Sequence, residues 1–398
     1  MSPAKHSDPN VTRLTGEIPI VTDQALKSTL TSLEMQETLQ TEELQARTRA
    51  LSRTLELELR YWSEPALPRQ PYPGNSPYDH PRVFGGRERE IMSWRRLLHL
   101  PVPILGLHGA ESVGKTSLLR AGLIPALRAA GHPIAYLRFP AKGSIAARLL
   151  GELLVQRPPG QRERGMPEDP RSAAARRFND PGAFVDLLCA ARRLAGKNVV
   201  LVVDQLEEVL RDDSDDGPDA PRAALKRLID TSLHELGKRR PFHWLLCFRT
   251  SHREQVRQWL GEHAAPRTMH FSELKPLGTA PTGGQSLKEA VGAFQAAIEA
   301  PLTTGLDGRR PFKYRFAPEG AERLAQAFAA ARLAHRSAPL TRELQSVLNR
   351  LIAASRPAED GTWMIEVPER PEKFIEEAAA QTSPCPRPNA KNASVNIT

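Results

Sequence analysis

The sequence predicts an α/β fold in which helices cover both faces of a parallel sheet. Four short apolar runs have the length and composition of buried strands: Pro103–Leu107, Ile134–Phe139, Val199–Val203 and Trp244–Phe248. Stretches with helical periodicity separate or follow these runs: Thr116–Ala130, Ile145–Val155, Pro181–Leu194 and Ala223–Leu236. Strands that alternate with helices favour a parallel sheet, because each helix carries the chain back to the edge where the next strand begins.

The composition excludes several classes of protein. Of the 398 residues 40% are hydrophobic, yet no run approaches the roughly 18 apolar residues that a membrane helix requires. The first residues lack the apolar stretch of a secretory signal. Cys189, Cys247 and Cys385 lie far apart, which argues against a disulfide framework and against a zinc site. We therefore expect a cytoplasmic protein that does not contact a membrane.

The net charge of +9 is concentrated in one third of the chain. Residues 81–198 hold 20 basic and 9 acidic side chains, an excess of +11. Such a block attracts phosphate, either on a nucleotide or along a nucleic acid, although a solvated arginine-rich surface has the same composition.

The amino-terminal part of the chain divides into three segments. Residues 1–22 are polar and without periodicity, which predicts disorder. Residues 23–62 predict an amphipathic helical arm, which either binds a protein partner or a second copy of the chain, or folds back on its own domain. Residues 63–80 are rich in proline and predict a stiff, extended linker.

The remainder divides into the α/β domain over residues 81–277, a helical lid over residues 278–381 and a disordered tail over residues 382–398. The lid is predicted from helical spacing in Ser286–Glu299, Pro318–Ala334 and Thr341–Ala354. Residues 212–221 are rich in Gly, Pro and Asp and predict a surface loop within the α/β domain.

The first predicted strand leads into a phosphate-binding motif. The pattern G-x-x-x-x-G-K-[ST], or Walker A, is matched by Gly109, Ala110, Glu111, Ser112, Val113, Gly114, Lys115 and Thr116, with Ser117 next. A strand before the motif and a helix after it are the context that it needs, because backbone N–H groups and the helix dipole then face a phosphate. Lys115 is expected to reach the β- and γ-phosphates and Thr116 to hold Mg²⁺. The sequence therefore predicts a P-loop NTPase domain.

A second group for magnesium follows the third predicted strand. Asp204 comes directly after Val199–Val203, as in a Walker B motif, and is expected at the sheet edge beside the phosphate loop. Gln205 occupies the position where many P-loop ATPases have the glutamate that activates water. Glu207 or Glu208 could take that role, whereas Gln205 could only orient water; alternatively, both glutamates are solvated at the start of a helix.

Arg249 follows the strand Trp244–Phe248 at the same edge. It is a candidate for sensing the γ-phosphate and stabilising charge in the transition state, and the alternative is a structural arginine paired with Asp204 or a glutamate. Farther upstream, Gly85 and Gly86 predict a tight turn before a helix.

These motifs together resemble the STAND class of signal-transducing P-loop NTPases, in particular its bacterial, novel-STAND-like branch. The resemblance rests on FGGRERE at 84–90, the Walker A motif, VVDQLEE at 202–208 and Arg249, and it covers about residues 78–380. It implies ATP rather than GTP as the ligand, with Gly86 and Arg87 at the adenine end. It also implies Lys115 and Thr116 at the phosphates and magnesium, Asp204 at the magnesium and Arg249 at the γ-phosphate.

Relatives in this class usually continue into a winged-helix domain and long repeat arrays, whereas this sequence ends at Thr398. We therefore expect either a minimal or truncated member, or a sensor and an effector on other chains. The leading functional expectation is an ATP-binding, slowly hydrolysing switch in bacterial signalling or defence, with self-association or partner contact controlled by the nucleotide. The alternatives are a nucleic-acid-associated ATPase of the loader type and a nucleotide-bound scaffold without turnover; a metabolic kinase is less favoured.

Overall fold

The structure is a computed structural model. It describes residues 42, 46, 57–59, 66–74, 76–141, 143–156, 181–211, 220–235, 242–279, 286–303, 311–334 and 341–382. The chain forms two compact units, residues 1–50 and residues 51–398. In the first unit Glu42 and Ala46 are described, and both are helical. The predicted disorder at 1–22, most of the helical arm, most of the 212–221 loop and the tail after residue 382 lie outside the described residues.

The second unit contains all the strands and helices described below. The strands are β1 (Leu57–Leu59), β2 (Ile104–Gly109), β3 (Ile134–Arg138), β4 (Leu154–Gln156), β5 (Val199–Asp204), β6 (Phe242–Arg249), β7 (Met269–Glu273), β8 (Tyr314–Phe316), β9 (Arg356–Pro357) and β10 (Trp363–Ile365). The helices are α1 (Glu88–Leu97), α2 (Lys115–Ser117), α3 (Ile124–Ala129), α4 (Ile145–Leu153), α5 (Pro181–Ala195), α6 (Leu206–Arg211), α7 (Pro221–Glu235), α8 (Arg253–Leu260), α9 (Leu287–Glu299), α10 (Gly320–Ala334), α11 (Thr341–Ala353) and α12 (Pro371–Thr382). A π-helical turn, Leu118–Leu123, joins α2 to α3.

The central sheet is parallel and has the order β3-β5-β6-β2-β7. This confirms the predicted α/β fold with helices around a parallel sheet. Strands β2 and β5 are buried at all six positions, which explains their continuous apolar sequences. In register, Gly109 lies opposite Arg249 and Arg138 lies opposite Asp204, so the polar residues that end the strands meet at one edge.

Strand β7 was not predicted, because its sequence does not have the pattern of a buried strand. It pairs with β2 at the edge of the sheet, and only its first residue, Met269, is buried. The remaining residues include Ser272 and Glu273, so the strand lacks the apolar run that marks the other four.

The prediction of a helical arm as far as Trp62 is wrong at its end. Residues Leu57–Leu59 are extended and pair antiparallel with Leu154–Gln156. The same pairing ends helix α4, which precedes β4, at Leu153, two residues before its predicted end at Val155. A pairing between distant segments thus overrides the local helical pattern.

The proline-rich segment, predicted as a linker, is part of the packed fold. Tyr72 is completely buried in the lid core, and its hydroxyl donates to the carbonyl of Ile298. The backbone N–H of Tyr78 donates to Ser117 Oγ at 3.1 Å. Gln345 Nε2 in turn donates to the Tyr78 hydroxyl at 2.6 Å. The segment therefore joins the lid to the first turn after the phosphate loop, which its composition did not indicate.

The lid is helical as predicted but also contains a small sheet. Helices α9, α10, α11 and α12 surround a core in which the rings of Phe294 and Phe328 stack at 5.5 Å. Strands β8, β10 and β9 form a three-stranded sheet in that order, with β10 parallel to β8. These strands have two or three residues each, too few to show a periodicity in the sequence. None of the described helices has both the length and the apolar character needed to cross a bilayer.

The buried position of Tyr72 gives the first prediction. Tyr72→Ala should lower the free energy of unfolding by about 3 kcal/mol or more, because it removes a large buried ring and leaves the Ile298 carbonyl without this donor. Leu67→Ala in the same segment, at a side chain that is 40% exposed, should change it little. Urea unfolding of both variants measures the difference. Equal stability of Tyr72→Ala and the unchanged protein would show that the segment is only a linker.

Candidate functional site

The predicted phosphate loop lies between β2 and α2 in a conformation that turns its backbone inward. Ser112 and Gly114 have positive φ values of 59° and 95°. Left-handed residues that alternate with right-handed ones arrange successive N–H groups around a concave space that binds anions. Apart from Gly114, its two chain neighbours and the adjacent helix backbone, no described atom lies within 4 Å of the position that a Cβ would take at Gly114, so the loop is open at this point.

Lys115 is folded over the loop that precedes it. Its Nζ donates to the carbonyls of Gly109 at 3.0 Å and Ala110 at 2.9 Å. Burial lowers the pKa of the Lys115 ammonium, and the carboxylates of Glu207 and Asp204 oppose this shift. The ammonium thus lies in a partly dehydrated position where an anion would be strongly attracted.

Thr116 and Asp204 are in direct contact, although 88 residues separate them in the sequence. Thr116 Oγ1 donates to Asp204 Oδ2 at 2.9 Å, and the hydroxyl of Tyr136 donates to the same oxygen at 2.8 Å. Burial and the adjacent Asp204 raise the pKa of Tyr136, so its phenol stays protonated and remains a donor. Asp204 is 1% exposed, and its carboxylate therefore depends on these partners. The hydroxyl and carboxylate oxygens are of the kind that Mg²⁺ prefers.

The structure separates the two glutamates that the sequence left equivalent. Glu207 is 3% exposed, and its Oε1 accepts from Arg249 Nε at 3.2 Å. Its Oε2 is buried and has no hydrogen-bond partner among the described residues. The Glu208 side chain pairs with Arg211 at 3.1 Å outside the cavity that Glu207 lines. Of these two glutamates, Glu207 is therefore the one that presents its carboxylate to the site.

Two residues at the end of β3 were missed by the sequence reasoning. Arg138 Nε donates to Gln205 Oε1 at 2.9 Å, and Gln205 has a positive φ of 58°. Tyr136 lies two residues earlier and binds Asp204. The rule that selected Asp204 and Arg249, a polar residue where a buried strand ends, would also have selected Arg138.

Arg249 makes two ion pairs. Its Nε is bonded to Glu207, and its Nη1 donates to Glu111 Oε2 of the phosphate loop at 2.9 Å. The structural pairing that the sequence offered as an alternative is therefore present, with Glu207 and Glu111 as the partners. Both partners line the same cavity as Arg249, so the pairing leaves the arginine within the site.

Arg87 and Gly86, which the resemblance places at the adenine end, lie beside the phosphate loop and helix α9. Arg87 is 4% exposed and donates to the backbone carbonyls of Val113 at 3.0 Å and Lys275 at 3.0 Å. Arg87 lines the cavity, and its guanidinium supports the phosphate loop through the Val113 carbonyl. Gly86 has a φ of 81° and packs against α9, where a Cβ would lie 2.3 Å from the Ala293 carbonyl oxygen. The adenine-end role of both residues stays a prediction.

The phosphate loop, the proline-rich segment and the lid enclose one cavity of about 300 Å³. Helix α11 of the lid closes it, and Thr341 Oγ1 at the start of that helix donates to the Ser112 carbonyl at 2.6 Å. The cavity is lined by Gly74, Ser76, Pro77, Tyr78, Phe84, Gly85, Arg87, Glu111, Ser112, Val113, Gly114, Lys115, Thr116, Ser117, Arg138, Asp204, Gln205, Glu207, Arg249, Leu277, Ala297, Thr341, Arg342, Leu344 and Gln345. The lining combines charged groups with aromatic and aliphatic side chains, a combination typical of ligand sites.

The family model described as Novel STAND NTPase 1 matches residues 71–291, more than half of the chain, and the match begins inside the proline-rich segment. No curated protein matches the sequence. Among solved structures, the chain is similar to the Aeropyrum pernix ORC2 protein in its ADPNP-ADP complexes. That likeness has a TM-score of 0.43 and 16% identity, and it covers 79% of this chain and 71% of that one.

The two arginines near the start of α1 give the second prediction. Arg87→Met leaves the Val113 and Lys275 carbonyls without their donor, which should lower the free energy of unfolding by about 1–3 kcal/mol. It should also weaken ligand binding at the loosened loop. Arg89→Met is the matched control, because the Arg89 side chain is 68% exposed and pairs with Glu289 at 2.8 Å. Denaturant unfolding of both variants tests this, and equal effects would refute the supporting role of Arg87.

Proposed function

The chain belongs to the novel STAND NTPase 1 family, and on this basis we propose that it is an ATP-binding, slowly hydrolysing switch in bacterial signalling or defence. In this proposal the nucleotide state controls self-association or contact with a protein partner in the cytoplasm. The observation that carries it is the single cavity shared by the phosphate loop and lid helix α11. A ligand that fills this cavity contacts both parts, so its loss or cleavage changes how the lid is held.

Phosphate binding follows from the charged groups that line the cavity. The loop residues from Glu111 to Gly114 and the start of α2 line the cavity, and Lys115 supplies a positive charge. Thr116 and Asp204 would hold Mg²⁺, because their oxygens already lie 2.9 Å apart. When bound, Mg²⁺ neutralises charge on the β- and γ-phosphates. The adenine would lie on the apolar part of the lining, to which Phe84 and Leu344 contribute.

Hydrolysis requires a base for the attacking water, and Glu207 is the candidate that the geometry favours. Its Oε2 is buried and has no hydrogen-bond partner among the described residues, and a water bound there would supply one. Gln205, fixed by Arg138, lies beside it and can orient the water but cannot accept its proton. Arg249 lies within reach of both Glu207 and the phosphate loop, a suitable place for stabilising a γ-phosphate. Because the base is bonded to Arg249, we expect slow turnover.

Lys115 gives the third prediction, which tests nucleotide binding and its consequence together. Lys115→Ala should weaken ATP binding by about ten- to a hundredfold or more, because a charged partner of the phosphates is lost. Any change in sedimenting mass that ATP and Mg²⁺ cause should disappear with it. Lys226→Ala is the control, since Lys226 pairs with Asp230 on α7. Unchanged affinity in Lys115→Ala would refute the proposal, and ATP binding without any change in mass or partner contact would refute the switch.

Glu207 gives the fourth prediction. Glu207→Gln should lower the turnover number about 10²- to 10⁴-fold while ATP remains bound, because an amide cannot accept the proton of water. Glu208→Gln is the matched comparison, and its turnover should stay close to that of the unchanged protein since Glu208 pairs with Arg211. Single-turnover phosphate release and equilibrium ATP binding separate the two effects. Binding without measurable turnover in the unchanged protein would favour the nucleotide-bound scaffold.

A further inference from the structure

The phosphate loop carries an acidic side chain that faces two arginines. Glu111 Oε2 accepts from Arg249 Nη1 at 2.9 Å, and Glu111 Oε1 lies 3.6 Å from Arg342 Nη2. Arg249 ends the central strand β6, whereas Arg342 belongs to the first turn of lid helix α11. All three side chains line the cavity. One carboxylate of the loop thus connects the sheet to the lid.

The two arginines are held differently. Arg249 is also bonded to the buried Glu207, so its position does not depend on Glu111 alone. The Arg342 side chain is 49% exposed, and its ion pair is with Glu111. The neighbouring Thr341 binds the Ser112 carbonyl, so adjacent lid residues contact adjacent loop residues. Glu111 therefore strengthens an attachment of the lid that needs no nucleotide.

A carboxylate and a terminal phosphate bind guanidinium groups in the same way, through charged and often paired hydrogen bonds. A phosphate that reaches the Arg249 and Arg342 guanidiniums must therefore displace Glu111 and lie close to its negative charge. A diphosphate lacks the group that would do so. The loop thus opposes the third phosphate at the point where it would contact the lid.

We propose that Glu111 is a specificity-determining residue: it competes with the γ-phosphate for Arg249 and Arg342 and so reduces the preference for ATP over ADP. This inference rests on the proposed function of the same cavity. With ADP the Glu111 pairs persist and hold the lid on the loop. With ATP the γ-phosphate takes over the two arginines, and the lid is then held through the nucleotide.

Glu111→Gln tests the proposal, because the amide keeps the size of the side chain and removes its charge. The dissociation constants for ADP and for an ATP analogue with an uncleavable β–γ bond are measured by titration calorimetry with Mg²⁺. The preference for the triphosphate should rise about five- to tenfold, as expected for the loss of partly exposed ion pairs beside the ligand. Glu377→Gln is the control, since it also removes a carboxylate from the lid. Glu377 pairs with Arg350 at 2.9 Å, and neither residue lines the cavity.

A double-mutant cycle with Arg342→Gln distinguishes competition for the lid arginine from a general effect of charge. The effect of Glu111→Gln on the ratio of the two constants should shrink when Arg342 is already replaced. The same effect in both backgrounds, or an equal change in the affinity for both nucleotides, would overturn the inference. If the unchanged protein binds neither nucleotide, the proposed function itself fails. Thermal unfolding confirms folding of each variant, and Glu111→Ala, which also removes the charge, should shift the ratio in the same direction.

Discussion

The parallel register of β5, β6 and β2 is the constraint on which the site depends. Strands in a sheet lie about 4.8 Å apart, so the ends of β2 and β5, with β6 between them, are separated by roughly 10 Å. The loop after Gly109 and the first turn of α2 bridge that distance and bring Thr116 to 2.9 Å from Asp204. Arg249, on the intervening strand, lies in register with Gly109 and so falls between the ends of β2 and β5. A shift of register in any one strand would separate these groups.

Three of the five cations that line the cavity balance its three carboxylates before any ligand is considered. Three carboxylates, Glu111, Asp204 and Glu207, lie close to three cations, Lys115, Arg249 and Arg342. Because the partners are only partly hydrated, each charge depends on its neighbours, and an added anion must rearrange some of the pairs. The pair that joins the loop to the lid is the most exposed and therefore the easiest to exchange. The charge balance thus links phosphate binding to the position of α11.

The sequence predicted the parts of the fold that local rules determine. Continuous apolar runs marked the buried strands, and the residues that follow those strands, including Asp204 and Arg249, meet at one edge. The half-buried edge strand β7 and the two- or three-residue strands of the lid lack such runs. The choice between Glu207 and Glu208 depends on how α6 is oriented against the sheet, which adjacent residues cannot show. Arg138, like Asp204, is a polar residue at the end of a buried strand, but the predicted run Ile134–Phe139 extends beyond it.

The packing of the proline-rich segment could not be read from composition, because proline restricts the chain without specifying what it contacts. That restriction favours docking, since a segment with few accessible conformations loses less entropy when it is fixed. Tyr72 fixes one end in the lid core, and the Tyr78 N–H fixes the other to Ser117, the residue after Thr116. The segment therefore spans the lid and the phosphate loop. A movement of one relative to the other must therefore break a contact of this segment.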